Sequence, residues 1–132
     1  MDPLEIPQPI TFVIGMTGVE SLTARMVAQV RAGRERNRDV YSAMFRGIDR
    51  LGVQAIEALA QFDLQRLGEL MNVCQGLLNG LQVSSWELEE LIQIARENGA
   101  LGAKLTGGGG GGSMIALADG DTSGLIQAMK DA

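Results

Sequence analysis

Six consecutive glycines, Gly107 to Gly112, constrain this 132-residue chain more than any other feature. A run of this composition reads first as a flexible linker. A linker joins two foldable units, however, and only Ser113 to Ala132 follow it, too few residues to bury a core of their own. Met114 to Leu117 also has the apolar character of a strand, which must pair with something upstream. The run is therefore read as a loop between two strands, Ala103 to Thr106 and Ser113 to Ala118. Backbone without Cβ atoms approaches a ligand closely, and successive N–H groups can converge into a concave anion site. Phosphate is the natural guest of such a nest. The run is not the G-x-x-x-x-G-K-[ST] loop, because Lys104 precedes the glycines, and it is not the dinucleotide fingerprint.

The rest of the chain must supply the partners of those strands. Residues 1–9 hold all three prolines and read as an extended lead-in to a strand from Ile10 to Ile14. Gly15 to Gly18 breaks that strand, and Thr17 with Glu20 matches a capping box in which Thr17 accepts from a first-turn amide. Val19, Leu22, Met26, Val27 and Val30 then recur at helical spacing, with Gly33 placed to end the helix. Asp39 can cap a second helix carrying Val40, Met44, Ile48, Leu51, Ala55 and Leu59. Asp63 can cap a third, whose stripe from Leu67 through Leu70, Met71, Cys74, Leu77 and Leu78 to Leu81 marks it as central. Ser84 to Glu87 supplies another capping box, ahead of Leu88, Leu91, Ile92 and Ala95, and Asn98 with Gly99 stops that helix. After the two strands, Asp119 to Asp121 is a turn and Thr122 to Lys130 a short helix. This order predicts one α+β domain over 1–132, an antiparallel sheet with helices packed on one face.

Composition narrows the function. With a formal net charge of -5, the chain lacks the clustered basic charge that binds phosphate backbones, which argues against a nucleic-acid partner. Arg31, Arg34, Arg36 and Arg38 form a local basic patch in what reads as a helix connection, taken first as solvated surface and second as an anion site. One cysteine and no histidine leave neither an internal disulfide nor a zinc ligand set, so no metal site is expected. They also leave no Ser-His or Cys-His arrangement, and no catalytic residue is assigned. No apolar stretch reaches membrane-spanning length and the N-terminus is not signal-like, so a cytoplasmic location is expected.

The segment from Asn98 to Leu117, NGALGAKLTGGGGGGSMIAL, resembles the third conserved motif of the GHMP kinases, the superfamily of galactokinase, homoserine kinase and the mevalonate kinases. GELMNVCQGLLNGLQVS, from Gly68 to Ser84, and IGMTGV, from Ile14 to Val19, resemble its mevalonate kinase branch in particular. The resemblance implies a ferredoxin-like C-terminal domain whose glycine loop lies against nucleotide phosphates held mainly by an N-terminal domain, and whose first strand-to-helix loop faces the substrate. It places Gly107, Gly108, Gly109, Gly110, Gly111 and Gly112 beside the phosphates, Lys104 and Thr106 on the strand leading in, and Thr17 and Gly18 at the border of a mevalonate pocket. It implies ATP and Mg2+ as cofactors of a complete enzyme in isoprenoid biosynthesis, with neither held tightly by this chain alone. The catalytic base and nucleotide loop would belong to the N-terminal domain, joined in cis or in trans, and the chain reads as cut at both ends, short of a last strand. The alternatives are a stand-alone module that pairs with a second copy through an exposed sheet edge, and a GHMP kinase half of different substrate specificity. Ser113 stands where the family commonly has Cys, Gly108 where it has Ala, and Cys74 where it usually has Asn, the last exchanging an amide for a weak thiol.

Overall fold

A computed structural model describes residues 6–18, 23–107 and 112–132. The elements run in the order β1 (Thr11–Met16), α1 (Thr23–Arg36), α2 (Arg38–Ala60), α3 (Leu64–Gly80), α4 (Trp86–Glu97), β2 (Gly102–Thr106), β3 (Ser113–Ala118) and α5 (Ser123–Lys130). The three strands form one antiparallel sheet in the order β1-β3-β2. β1 and β2 thus run parallel with β3 inserted between them, the split arrangement of ferredoxin-like folds. The α+β fold with an antiparallel sheet holds as expected.

Strand alternation divides the core. Met114, Ala116 and Ala118 of β3 and Ala103 of β2 join Leu88, Leu91, Ile92 and Ala95 of α4 and Leu125 of α5 in one buried cluster. On the other side of β3, Leu117 packs with Ala58 of α2 and Leu67 and Met71 of α3, and Ile115 and Leu101 adjoin them. α4 and α5 cover one face, while the α2–α3 hairpin sits beside β2 and over part of the second. β1 is the opposite edge, and its residues on that second face, Phe12, Ile14 and Met16, are 41%, 69% and 74% exposed. No helix among the described residues is long and apolar enough to cross a membrane.

Several boundaries differ from the sequence reading. β1 continues through Gly15 to Met16, because those residues pair with Met114 and Ser113. Gly33 does not end α1, which runs on to Arg36. Its missing side chain instead makes room for the Tyr41 ring, whose Cζ would lie 2.7 Å from a Cβ built there. Arg31, Arg34 and Arg36 therefore belong to α1 and Arg38 to α2, with Asn37 alone between the helices. Asn37, not Asp39, occupies the cap position of α2, and Asp39 lies in the first turn, where its charge still favours the helix dipole. Asp63 caps α3 as expected, accepting from the Arg66 amide at 3.1 Å. At α4 the cap is Ser85, which accepts from the Leu88 amide at 3.2 Å, while Ser84 points elsewhere. The glycine of the capping-box reading at Thr17 leads into residues 19–22, and Glu20 lies outside the described residues.

Candidate functional site

The hairpin joining β2 to β3 carries the glycine run. Thr106 and Ser113 are the last paired residues, so Gly107 and Gly112 are its two stems. Gly107 is exposed, with nothing within 4 Å of a Cβ built on it. Gly108 to Gly111 lie outside the described residues. Beside this hairpin β1 reaches the same end of the sheet, since Met16 pairs with Ser113. The next residue closes the gap: the Thr17 N–H and Thr17 Oγ1 both donate to the Gly112 carbonyl, at 2.8 and 3.0 Å. Thr17 is therefore bonded across the sheet end, while the first-turn amide expected to donate to it lies outside the described residues, where α1 is seen from Thr23 onward. Gly18 follows with a φ of 74°.

Of the residues assigned from sequence, Thr17, Gly18, Thr106, Gly107 and Gly112 stand together at this end. Thr106 Oγ1 donates to the Gly107 carbonyl at 3.4 Å, a long contact that leaves the hydroxyl beside the hairpin stem. Lys104 lies two residues further in, opposite Ile115 in the register. Its ammonium donates to the Leu105 carbonyl at 2.8 Å, along its own strand.

What the sequence reading missed is the support of β2. Its outer edge is closed by side chains of α3 in place of a strand. The Ala103 amide donates to Asn72 Oδ1 at 3.0 Å, and the Leu105 amide donates to Gln75 Oε1 at 2.8 Å. Arg96 of α4 donates to Asn72 Oδ1 at 2.8 Å and to the Ala103 carbonyl at 3.3 Å. Gln75 is 1% exposed, and its amide nitrogen donates to Ser84 Oγ at 3.0 Å and Glu89 Oε1 at 3.2 Å. Burial lowers the pKa of the Arg96 guanidinium, against the opposing pull of Glu89. A guanidinium stays charged at neutral pH even so. Gly68 and Gly102 meet backbone to backbone, which brings α3 near enough for these amides to reach. Gly68, Asn72 and Gln75 are spaced i, i+4, i+7 along one side of a helix. That was the available signal, hidden by reading α3 only for its apolar stripe. Cys74, flagged as a departure, is half-buried, and the amides serving β2 are those on either side of it.

Exposed glycine backbone such as that of Gly107 has an N–H that an incoming anion can reach. Among the described residues no group of three or more His, Cys, Asp or Glu could hold a metal ion. The open space around Gly107 leaves this stem accessible to a ligand. Away from the sheet end, Arg31, Arg34, Glu35 and Arg38 line an open cleft of about 430 Å³, and Arg34 lies 6.0 Å from the Phe45 ring centroid.

Comparison with known proteins follows this geometry. The mevalonate kinase of Thermococcus sibiricus is 41% identical over 126 residues, an alignment covering 92% of this chain and 38% of that protein. The mevalonate kinase of Pyrococcus horikoshii is 41% identical over 132 residues, covering 96% and 38%. The chain thus spans 38% of the length of each of these relatives. The crystal structure of L. major mevalonate kinase in complex with R-mevalonate superposes with a TM-score of 0.86 at 36% identity, covering 98% of this chain and 39% of that one. The family model described as GHMP kinases C terminal matches residues 55–131, from the last turns of α2 through α5 and so across the entire glycine hairpin. Agreement of sequence and fold over that span makes this chain a member of the GHMP kinase C-terminal family.

Proposed function

We propose that the chain is the C-terminal part of a mevalonate kinase, which transfers the γ-phosphate of ATP to the primary hydroxyl of mevalonate when joined to its N-terminal domain. The observation that carries this reading is the meeting of the Thr17 turn with the glycine hairpin at Gly112, in a chain 41% identical to mevalonate kinases along nearly its full length. In this reading the glycine backbone lies along the nucleotide phosphates, and Thr106 and Lys104 support its entry strand. Thr17 and Gly18 border the substrate. Mg2+, when bound, would supply charge stabilisation for the transferring phosphate, while the base that takes the hydroxyl proton would come from the N-terminal domain. Phosphoryl transfer depends on positioning and charge stabilisation from both sides. The isolated chain is accordingly expected to release no ADP in the presence of mevalonate, and the chain joined to its matching N-terminal part is expected to do so. Absence of turnover in the joined protein overturns the reading. Turnover only with a sugar or with phosphomevalonate transfers the assignment to another GHMP kinase.

A second reading is favoured by β1. Among the described residues it pairs on one side only, with β3, and it carries the exposed apolar row Phe12, Ile14 and Met16. A stand-alone module would pair this edge with the β1 of a second copy. Sedimentation equilibrium of the chain at high concentration would then give a dimer mass that Ile14→Lys abolishes. A monomer at all concentrations excludes it.

A further inference from the structure

Two features of the sheet end, the turn at Thr17 and Gly18 and the glycine hairpin, meet at a single atom. The Gly112 carbonyl oxygen accepts the Thr17 N–H at 2.8 Å and the Thr17 hydroxyl at 3.0 Å. A carbonyl oxygen has two lone pairs, so one residue 95 positions upstream occupies the acceptor that ends the glycine run. The backbone bond extends the β1–β3 pairing by one step beyond Met16 and Ser113, and any residue except proline could make it. The hydroxyl bond needs threonine or serine.

We infer that Thr17 is a positioning residue that couples the substrate-side turn to the phosphate-side hairpin through its hydroxyl on the Gly112 carbonyl. The inference rests on the mevalonate kinase reading above. A ligand that draws on the hairpin stem moves Gly112, and the paired bonds carry that displacement to Thr17. From there it passes to Gly18, whose positive φ of 74° sets the direction in which the chain leaves the sheet. A ligand held at the turn acts on the hairpin by the same route, since coupling between two binding equilibria is reciprocal. Thr17 need not touch either ligand for this. Its hydroxyl acts on the stem of one loop from the start of the other.

Thr17→Val keeps the branched shape and the backbone N–H while removing the hydroxyl, and Thr17→Ser keeps the hydroxyl. In the 132-residue chain, amide hydrogen exchange at residue 17 is expected to rise about fivefold in the valine variant. It should stay unchanged at the Thr11 and Ala118 end of the same ladder, and return to the wild-type rate in the serine variant. No rise at residue 17, or an equal rise at both ends, overturns the clasp. In the full-length kinase carrying this domain, the gain in mevalonate affinity caused by a non-hydrolysable ATP analogue should fall about fivefold in the valine variant. KM for ATP and mevalonate should rise together, kcat should change by less than about twofold, and serine should restore both. An active wild type whose valine variant keeps the full coupling overturns the inference. A full-length wild type without mevalonate phosphorylation overturns the kinase reading instead, and the exchange measurement still decides the clasp.

Discussion

Gly102→Ala is expected to destabilise the domain by about 3 kcal/mol or more, enough to leave much of a marginally stable fold unfolded. A Cβ at position 102 would run into the backbone of α3, with Gly68 Cα at 2.6 Å and Gly68 C at 2.7 Å besides the Gly68 carbonyl oxygen. The contact is reciprocal, for a Cβ on Gly68 would meet the Leu101 backbone. Side chains can rotate away from an added methyl group, but two backbones already held in a helix and a strand cannot. Relief requires α3 to retreat from β2, and Asn72 and Gln75 then lose the Ala103 and Leu105 amides. Gly52→Ala supplies the opposite case in the same molecule. Gly52 is exposed inside α2 with nothing within 4 Å of its Cβ position, so alanine there should stabilise by about 1 kcal/mol through helix propensity alone. Urea midpoints of the two variants should move in opposite directions from wild type. A Gly102→Ala midpoint at the wild-type value would show that α3 and β2 are not in contact through their backbones.

This contact also marks the limit of what the sequence makes legible. Apolar periodicity located every helix and both strands of the glycine hairpin, because burial of one face is a local pattern with a period of its own. It could not tell which glycines end helices and which admit a neighbour. Gly33 reads as a stop, yet it accommodates Tyr41 eight residues later. Gly68 and Gly102 are separated by most of α3 and all of α4, and nothing local announces that they touch. Polar residues were overlooked for the same reason. Asn72 and Gln75 sit within an apolar helix, and their partners on β2 are 31 and 30 residues away. At the site, the glycine run identified its own chemistry through composition, and the resemblance named Thr17 and Gly18. The bond from Thr17 to Gly112 spans 95 residues, and only the folded sheet brings the two together. A hydroxyl beside a glycine turn reads locally as a helix cap, and nothing local announces a second partner across the sheet.

Gln75→Leu is expected to cost about 2–3 kcal/mol, although leucine is similar in size and the position is almost wholly buried. Apolar burial alone would favour the change. Against it stands the Leu105 amide, which donates to Gln75 Oε1 at 2.8 Å and faces α3 instead of a strand or solvent. With leucine at 75 that amide is left without an acceptor, and a buried donor so stranded costs the desolvation of the group in full. Ser84 and Glu89 lose the shared Gln75 donor at the same time. Glutamate is no remedy, because a carboxylate at 75 would face Glu89 where the amide nitrogen now donates to it, and like charges in a buried place repel strongly. Gln93→Leu is the matching control. Gln93 makes an exposed bond to Glu97 at 3.1 Å, one turn along the same helix, and its loss should stay within about 0.5 kcal/mol. Thermal unfolding followed by circular dichroism should therefore separate the two leucine variants by several degrees. Exchange at Leu105 should accelerate in the Gln75 variant alone. Because Leu105 lies two residues before Gly107, the same variant in the full kinase should weaken ATP binding more than mevalonate binding. Equal stability of the two variants would mean that β2 does not depend on α3 for its outer hydrogen bonds, and that the entry to the glycine hairpin is held by β3 alone.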